Sequence, residues 1–204
     1  MGVQDDLTAA LARDLDGAFE RLVLSQQDRL YTIALRMLRD PRDAEEVAQD
    51  AFVRAYRALA AYEPDRIRDL QLRAWLATIV LNLCRNRVRR PGLPVVPLDS
   101  TGGDVDPGRS PAAGIAAADP RGSPHEALVR RESAGRWAAL VAGLPVRYRA
   151  AVILRHVDGL SYAEMSIALG RPEGTLKAQV HRGLALLRTA VERTDVGERR
   201  EMTA

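Results

Sequence analysis

The sequence predicts an all-α chain, two small helical domains joined by a flexible linker. Three observations carry this reading. Apolar residues recur at helical spacing over residues 5–90 and again over 124–193. The stretch between them, 91–123, loses that periodicity and holds six of the chain's eleven prolines. No stretch shows sustained period-two alternation with β-branched residues, so no sheet is expected. Residues 194–204 read as a disordered tail.

In the first block, Phe19, Leu22, Val23, Leu30, Ile33, Ala34, Met37 and Leu38 repeat at helical spacing. Asp40-Pro41 then supplies a cap followed by proline at the first helical position. The next helix runs to about Ala61, with a small apolar face of Ala44, Val47, Ala48, Ala51, Ala55 and Leu59. Tyr62 to Asp69 contains Pro64 and several charges and reads as a loop. A third long helix carries Trp75, Leu76, Ile79, Val80, Leu83 and Val88. Between the blocks, proline removes helix hydrogen bonds and glycine costs backbone entropy. The charges there are four aspartates against two arginines, so this linker is slightly acidic. A structureless loop of that length inside one compact domain is unusual, which favours two domains.

In the second block, Ser123-Pro124-His125-Glu126 resembles a capping box opening a helix, followed by Trp137, Leu140 and Val141 on one face. Pro145 opens a helix that ends near Asp158-Gly159. Ser161-Tyr162-Ala163-Glu164 is a second capping box, opening a short helix to Leu169. Gly170-Arg171-Pro172 breaks the chain, and a last helix runs from about Glu173 to Glu192.

Composition narrows the function classes. Of 204 residues, 47% are hydrophobic and 28% charged, as in a soluble globular protein, and with only 4% aromatic the core must be mostly aliphatic. The net charge of +3 permits nucleic-acid binding without arguing for it alone. Cys84 is the only cysteine, which excludes an intrachain disulfide and a zinc site on paired thiolates, and suits a reducing cytoplasm. The N-terminus lacks the charged and apolar pattern of a signal peptide, and no uncharged run is long enough to cross a membrane. His125, His156 and His181 lie far apart without metal-ligand spacing, so no metal is assigned. No Gly-rich phosphate loop follows a strand and no nucleophile sits beside a base. No catalytic residue and no cofactor is therefore assigned, and the chain is not expected to be an enzyme.

A short helix, a tight turn near Gly170 and a longer helix form a helix-turn-helix pattern, in which the second helix projects side chains into a DNA major groove. Met165 and Leu169 are expected to pack inward, with Ser166 small enough for close approach. Leu176, Val180, Leu184 and Leu187 form the expected buried stripe of the last helix, leaving Glu173, Lys177, Ala178, His181 and Arg182 outward. Residues 171–193 carry five basic side chains against two acidic ones, as a phosphate-facing helix should. A solvated basic face has the same composition.

The segments Asp158-Gly159-Leu160-Ser161-Tyr162-Ala163-Glu164, Gly170-Arg171-Pro172-Glu173-Gly174-Thr175-Leu176-Lys177 and His181-Arg182-Gly183-Leu184 resemble the region 4 helix-turn-helix of extracytoplasmic-function (ECF, group 4) sigma factors of bacterial RNA polymerase. Asp43 to Arg57 independently resembles region 2 of that family, and Arg73 to Leu83 resembles the segment that melts and reads the −10 element. The resemblance implies a factor that binds core polymerase and directs promoter-specific initiation. It implies that region 2, residues 5–90, docks on the β′ clamp coiled coil through Asp43, Glu46, Gln49, Asp50, Phe52 and Arg54. The −10 element would meet Tyr62, Arg66, Arg68, Asn82, Arg85 and Arg89. Region 4, residues 124–193, would meet the β flap and read the −35 element through Arg171, Thr175, Lys177, Ala178, His181 and Arg182. Ala178 departs from a commoner polar residue of the family and offers a methyl contact but no hydrogen bond. The linker at 91–123 is either an RNA-mimicking acidic strand or a soluble tether. An anti-sigma factor is a partner the family commonly has, though no residue here demonstrates one. The alternative is a helix-turn-helix transcriptional regulator that is not a polymerase subunit, which would leave the first block without a purpose.

Overall fold

The computed structural model describes residues 3–89 and 135–201, with side-chain surroundings for 6–89 and 135–193. The predicted linker, the capping box at Ser123 and the last three residues lie outside the described residues. Among those described, every regular element is helical.

The N-terminal unit holds five helices: α1 (Val3–Arg13), α2 (Leu15–Leu38), α3 (Pro41–Ala60), α4 (Pro64–Arg68) and α5 (Leu72–Arg89). Asp14 breaks α1 from α2 by capping the latter, its carboxylate accepting from the Gly17 N–H at 3.0 Å. Arg39 closes α2 in the left-handed region at φ 71°, and Asp40 then caps α3 by accepting from the Asp43 N–H at 2.9 Å, with Pro41 in the first turn. The reversal lays α3 back on α2. Their contact is built from small side chains: Ala44, Ala48, Ala51 and Ala55 of α3 are buried against the α2 side that buries Leu30, Ile33, Ala34 and Met37. Helix α5 closes this bundle on α2 and α3, burying Leu76, Ala77, Val80 and Leu81. The expected loop at Tyr62–Asp69 is corrected in part, because Pro64 starts the short helix α4 instead of only interrupting the chain, and Ile67 is buried there.

The C-terminal unit holds α6 (residues 135–143), α7 (Val146–Val152), α8 (Tyr162–Leu169) and α9 (Glu173–Glu201). Helix α7 widens at its end into a π-helical turn, Ile153–Val157. Three of the expected stripe residues of α9, Leu176, Val180 and Leu187, are buried, but Leu184 is 37% exposed. The fourth inward position is Gly183, whose missing side chain lets α9 close on α7. The correction has a geometric reason: positions 176, 180, 183 and 187 follow the helical repeat, and 184 is one step further round. Trp137 is likewise half exposed, whereas Val141 beside it is buried. Helix α9 also continues to Glu201, past the expected end near Glu192 and into the segment read as a disordered tail.

The sequence predicts two domains on a tether, and both are present. They are also packed together. Helix α8 lies along α5, and the π turn and α7 meet α2.

A Cβ added at Gly183 would sit 2.6 Å from Val152 Cγ2 and 3.5 Å from Tyr148 Cβ. Alanine gains about 1 kcal/mol of helix propensity over glycine. Overpacking costs about 1–3 kcal/mol, and fully buried Val152 is stiff about χ1. Gly183→Ala is therefore expected to lower stability by up to about 2 kcal/mol, read as a lower urea midpoint with unchanged slope.

Candidate nucleic-acid and polymerase interfaces

The turn between α8 and α9 is built as the sequence indicates. Ser161 Oγ accepts from the Glu164 N–H at 3.2 Å while the Glu164 carboxylate accepts from the Ser161 N–H at 2.8 Å, completing the capping box. Gly170 ends α8 at φ +63°, a region that favours glycine, and donates to the Ser166 carbonyl at 2.9 Å. Ser166 donates its hydroxyl to the Arg171 carbonyl at 2.8 Å, which fixes the backbone entering α9. Met165 is fully buried as expected and Leu169 only half-buried.

Arg171, Thr175, Lys177, Ala178, His181 and Arg182 are all exposed. Thr175, Ala178 and Arg182 follow one line of α9, opposite the buried stripe, with Lys177 and His181 on its flank. Lys177 pairs with Glu173 at 3.9 Å and stands over the Tyr162 ring, 5.5 Å from its centroid. All six are thus exposed, five on α9 and Arg171 at the turn before it.

The six expected −10 residues fall into two groups. At the start of α5, the Arg66 guanidinium covers the Tyr62 ring at 3.7 Å, and that ring lies 6.2 Å from Trp75. Arg68 pairs with Asp65 beside them. Asn82, Arg85 and Arg89 belong to the other end, about 10 Å further along the helix axis. There Arg85 donates to Asn82 Oδ1 at 3.1 Å, and both join Arg54, Asn86 and Arg89 around a groove that Val146 of α7 closes. Burial, and then the nearby charge of Arg171, push the Arg85 guanidinium below its usual value.

The polymerase-docking set also divides. Asp43 and Glu46 face α5, where Arg87 donates to both, to Glu46 at 2.8 Å. Those carboxylates hold the Arg87 guanidinium above its usual value, the Asp43 hydrogen bond foremost. Asp50 follows on that side of α3, and Arg54 stands at the groove by Asn82. Gln49 and Phe52 belong to the opposite side, lining a cleft of about 780 Å³ with Val23, Tyr31 and Pro41, rimmed by Asp28 and Glu45. Phe52 is buried as a wall of that cleft.

Sequence reasoning missed Arg29, the pairing of Arg87 with Asp43 and Glu46, and the role of Asp158. The Asp158 side chain is only 2% exposed. It accepts from Arg29 Nε at 2.5 Å and Arg29 Nη2 at 2.6 Å, a bidentate pair. Arg29 also donates to the Arg73 carbonyl at 3.0 Å, and Arg73 donates to the Asp158 carbonyl at 2.7 Å. Among the described residues, no group of three or more His, Cys, Asp or Glu is placed to hold a metal ion, and no helix is long and apolar enough to cross a membrane.

Glu164 sits beside this cluster. Burial pushes its carboxyl up, but hydrogen bonds from Ser161 and the charges of Arg73 and Arg29 outweigh that and hold it below its ordinary 4.5. A depressed carboxyl stabilises the fold above its unfolded value, and the contribution is lost as pH falls through the folded value. Glu164→Gln is therefore expected to flatten the acid limb of the stability–pH curve below about pH 4.5, checked by urea unfolding across the acid range.

Two family models match the chain: Sigma-70 region 2 over residues 22–92 and Sigma-70, region 4 over residues 135–187. The chain is 32% identical over 171 residues to the ECF RNA polymerase sigma factor SigE of Mycolicibacterium smegmatis, covering 84% of this chain and 60% of that relative. It is 32% identical over 175 residues to the ECF RNA polymerase sigma factor SigW of Bacillus subtilis, covering 84% and 87%. Two solved structures are similar in fold. One is CnrH in complex with the cytosolic domain of CnrY, at TM-score 0.65 and 23% identity, covering 93% of this chain and 97% of that one. The other is the sigma factor RpoE in complex with the anti-sigma factor NepR from Bartonella quintana, at TM-score 0.58 and 21% identity, covering 85% and 96%.

Proposed function

The chain belongs to the extracytoplasmic-function sigma factors of RNA polymerase, and from that premise we propose how its two units divide the work of promoter-specific initiation. The N-terminal unit holds core polymerase through α3 and meets the −10 element through α5 and the α3–α5 connection. The C-terminal unit reads the −35 duplex through α9 and touches the polymerase β flap. The chain works in the cytoplasm as an adaptor, contributing placement and no catalytic group.

The observation that carries this reading is that every expected −35 residue is exposed, five on α9 and Arg171 at the turn that leads into it. A helix-turn-helix presents side chains this way when its second helix enters a major groove. Arg171 and Thr175 suit phosphate contact, and Lys177, His181 and Arg182 suit base edges. Ala178 leaves one position to a methyl contact. At the −10 end, the Arg66–Tyr62–Trp75 stack offers a platform for an unpaired base, because single strands are recognised by stacking. On α3, the cleft beside Gln49 and Phe52 supplies an apolar seat for a basic coiled coil, with Asp28, Asp40 and Glu45 as its acidic lining, while Asp43, Glu46 and Asp50 offer a separate acidic line on the side facing α5. One fold relative is bound to an anti-sigma factor, and we extend a partner of that kind to this chain. A regulator that binds duplex DNA apart from polymerase would use α8 and α9 alone and give residues 22–92 no task.

Reconstituted holoenzyme is expected to initiate at defined start sites on promoters selected from a random library. Failure of the purified chain to direct core enzyme to any selected sequence would refute the assignment. Lys177→Ala and Arg182→Ala should each weaken promoter binding, by about 1–3 kcal/mol where a bidentate base contact is lost, with core affinity retained. Reversing charge at Glu46 and Asp50 together should weaken core binding, measured by titration against labelled core.

A further inference from the structure

Helix α4 carries part of the −10 set but is too short to hold its own place. It has five residues, Pro64–Arg68, and Glu63 before it makes no side-chain capping hydrogen bond. Isolated helices shorter than about 12 residues are marginal in water. The buried side chain of α4 is Ile67. Arg66 and Arg68 lie about 100° to either side of it, so they flank the buried edge. What Ile67 packs against therefore decides where both arginines, and the Tyr62 ring beneath Arg66, are presented.

The element on which α4 packs most extensively is α1, although α3 and α5 are its neighbours in the chain. Helix α1 buries Leu7, Thr8 and Leu11 on one side, and Leu7, Leu11 and Ile67 belong to the same hydrophobic core cluster. Helix α1 is in turn fixed on α2. Asp14 ends the first helix and caps the second, and Arg21 donates to Asp6 at 3.2 Å across the corner. A Cβ at Gly17 would collide with the Asp14 carboxylate, so this corner needs glycine there. The Sigma-70 region 2 match begins at residue 22 and gives α1 no task.

We propose that α1 is a positioning element for −10 recognition: through Leu11 and Ile67 it seats α4, and so holds the Arg66–Tyr62–Trp75 stack where an unpaired base arrives. The inference rests on the reading of that stack as a −10 platform. A base gains from stacking only where a ring is already held to receive it, and a segment held in its bound shape loses less freedom on binding. Helices α3 and α5, which carry the docking residues and Asn82, are seated by α2 and by each other. Loosening α1 should therefore weaken one contact of the three, the −10 stack, and spare core binding and the −35 contact.

The test uses the full-length chain in reconstituted holoenzyme, on a promoter selected from the random library and on copies with single −10 bases changed. Leu11→Ala should lower the discrimination between them roughly tenfold, within the range that loss of one base stack produces. Core affinity and binding to the −35 duplex should be retained. Leu11→Met, which nearly conserves volume, should restore discrimination. Ile67→Ala should reproduce the loss, and the double variant should lose no more than either single one. Should Leu11→Ala lose helical circular dichroism, Leu7→Ala, one turn further from α2, takes its place. Parallel losses in −10 discrimination, core affinity and −35 binding make α1 a general stabiliser and overturn the proposal, as does unchanged discrimination in a folded variant. Tyr62→Ala separates the two readings. Discrimination unchanged by Tyr62→Ala sinks the −10 assignment of the stack, whereas discrimination lost there but kept in the α1 variants sinks the brace alone.

Discussion

The carboxylate of Asp158 is the charge on which the placement of the two units depends. It sits at 2% exposure with both oxygens bonded to one guanidinium. Removing one partner of a pair this buried costs about 3–5 kcal/mol, because the other charge is left without water or counterion. The surrounding groups follow from that demand. Arg73 covers the remaining side, Gln26 steadies Arg29 at 3.1 Å, and Glu164 feels both arginines.

The two units solve different packing problems. In the N-terminal unit, α2, α3 and α5 form a bundle whose central seam is alanine, so backbones lie close and little rotamer entropy is lost on folding. In the C-terminal unit the same closeness is obtained once, where Gly183 meets Val152. The first solution leaves long helices with free outer faces for a protein partner. The second leaves α9 braced at one stripe and open along the rest. The outward side of α9 is therefore one that packing did not consume, whereas on α3 Phe52 is buried and Asp43 and Glu46 are bonded by Arg87.

Local chemistry was legible in the sequence. The Ser161 capping box, the Gly170 turn, the Asp40-Pro41 start of α3 and the outward set on α9 depend on residues within one or two turns of each other. Leu184 was misplaced because a glycine sends no apolar signal, so the pattern passed to its leucine neighbour. Pro64 can break a helix or begin one, and only the burial of Ile67 distinguishes the two. The end of α9 was set too early although no proline follows Pro172. Arg29 and Asp158 are 129 positions apart and obey no spacing rule, so their pairing lay beyond any reading of the sequence. The division of the −10 and docking sets into separate faces was likewise a property of helix phase and partner contacts, visible only when Arg87 and Val146 were in place.

The π-helical turn at Ile153–Val157 has a consequence for how this chain can vary. It sends the Asp158 N–H back five residues to Ile153 and the Leu160 N–H back six to Leu154, with Gly159 at φ +73° between them. One residue is thereby spent on phase instead of length. A regular α-turn in its place would rotate the acid by about 100° and carry it off its arginines, while α7 and α8 kept their sequences and their own caps. The hold between the units is thus written as register. A single insertion or deletion within the turn would uncouple them without touching any residue proposed to meet DNA or polymerase.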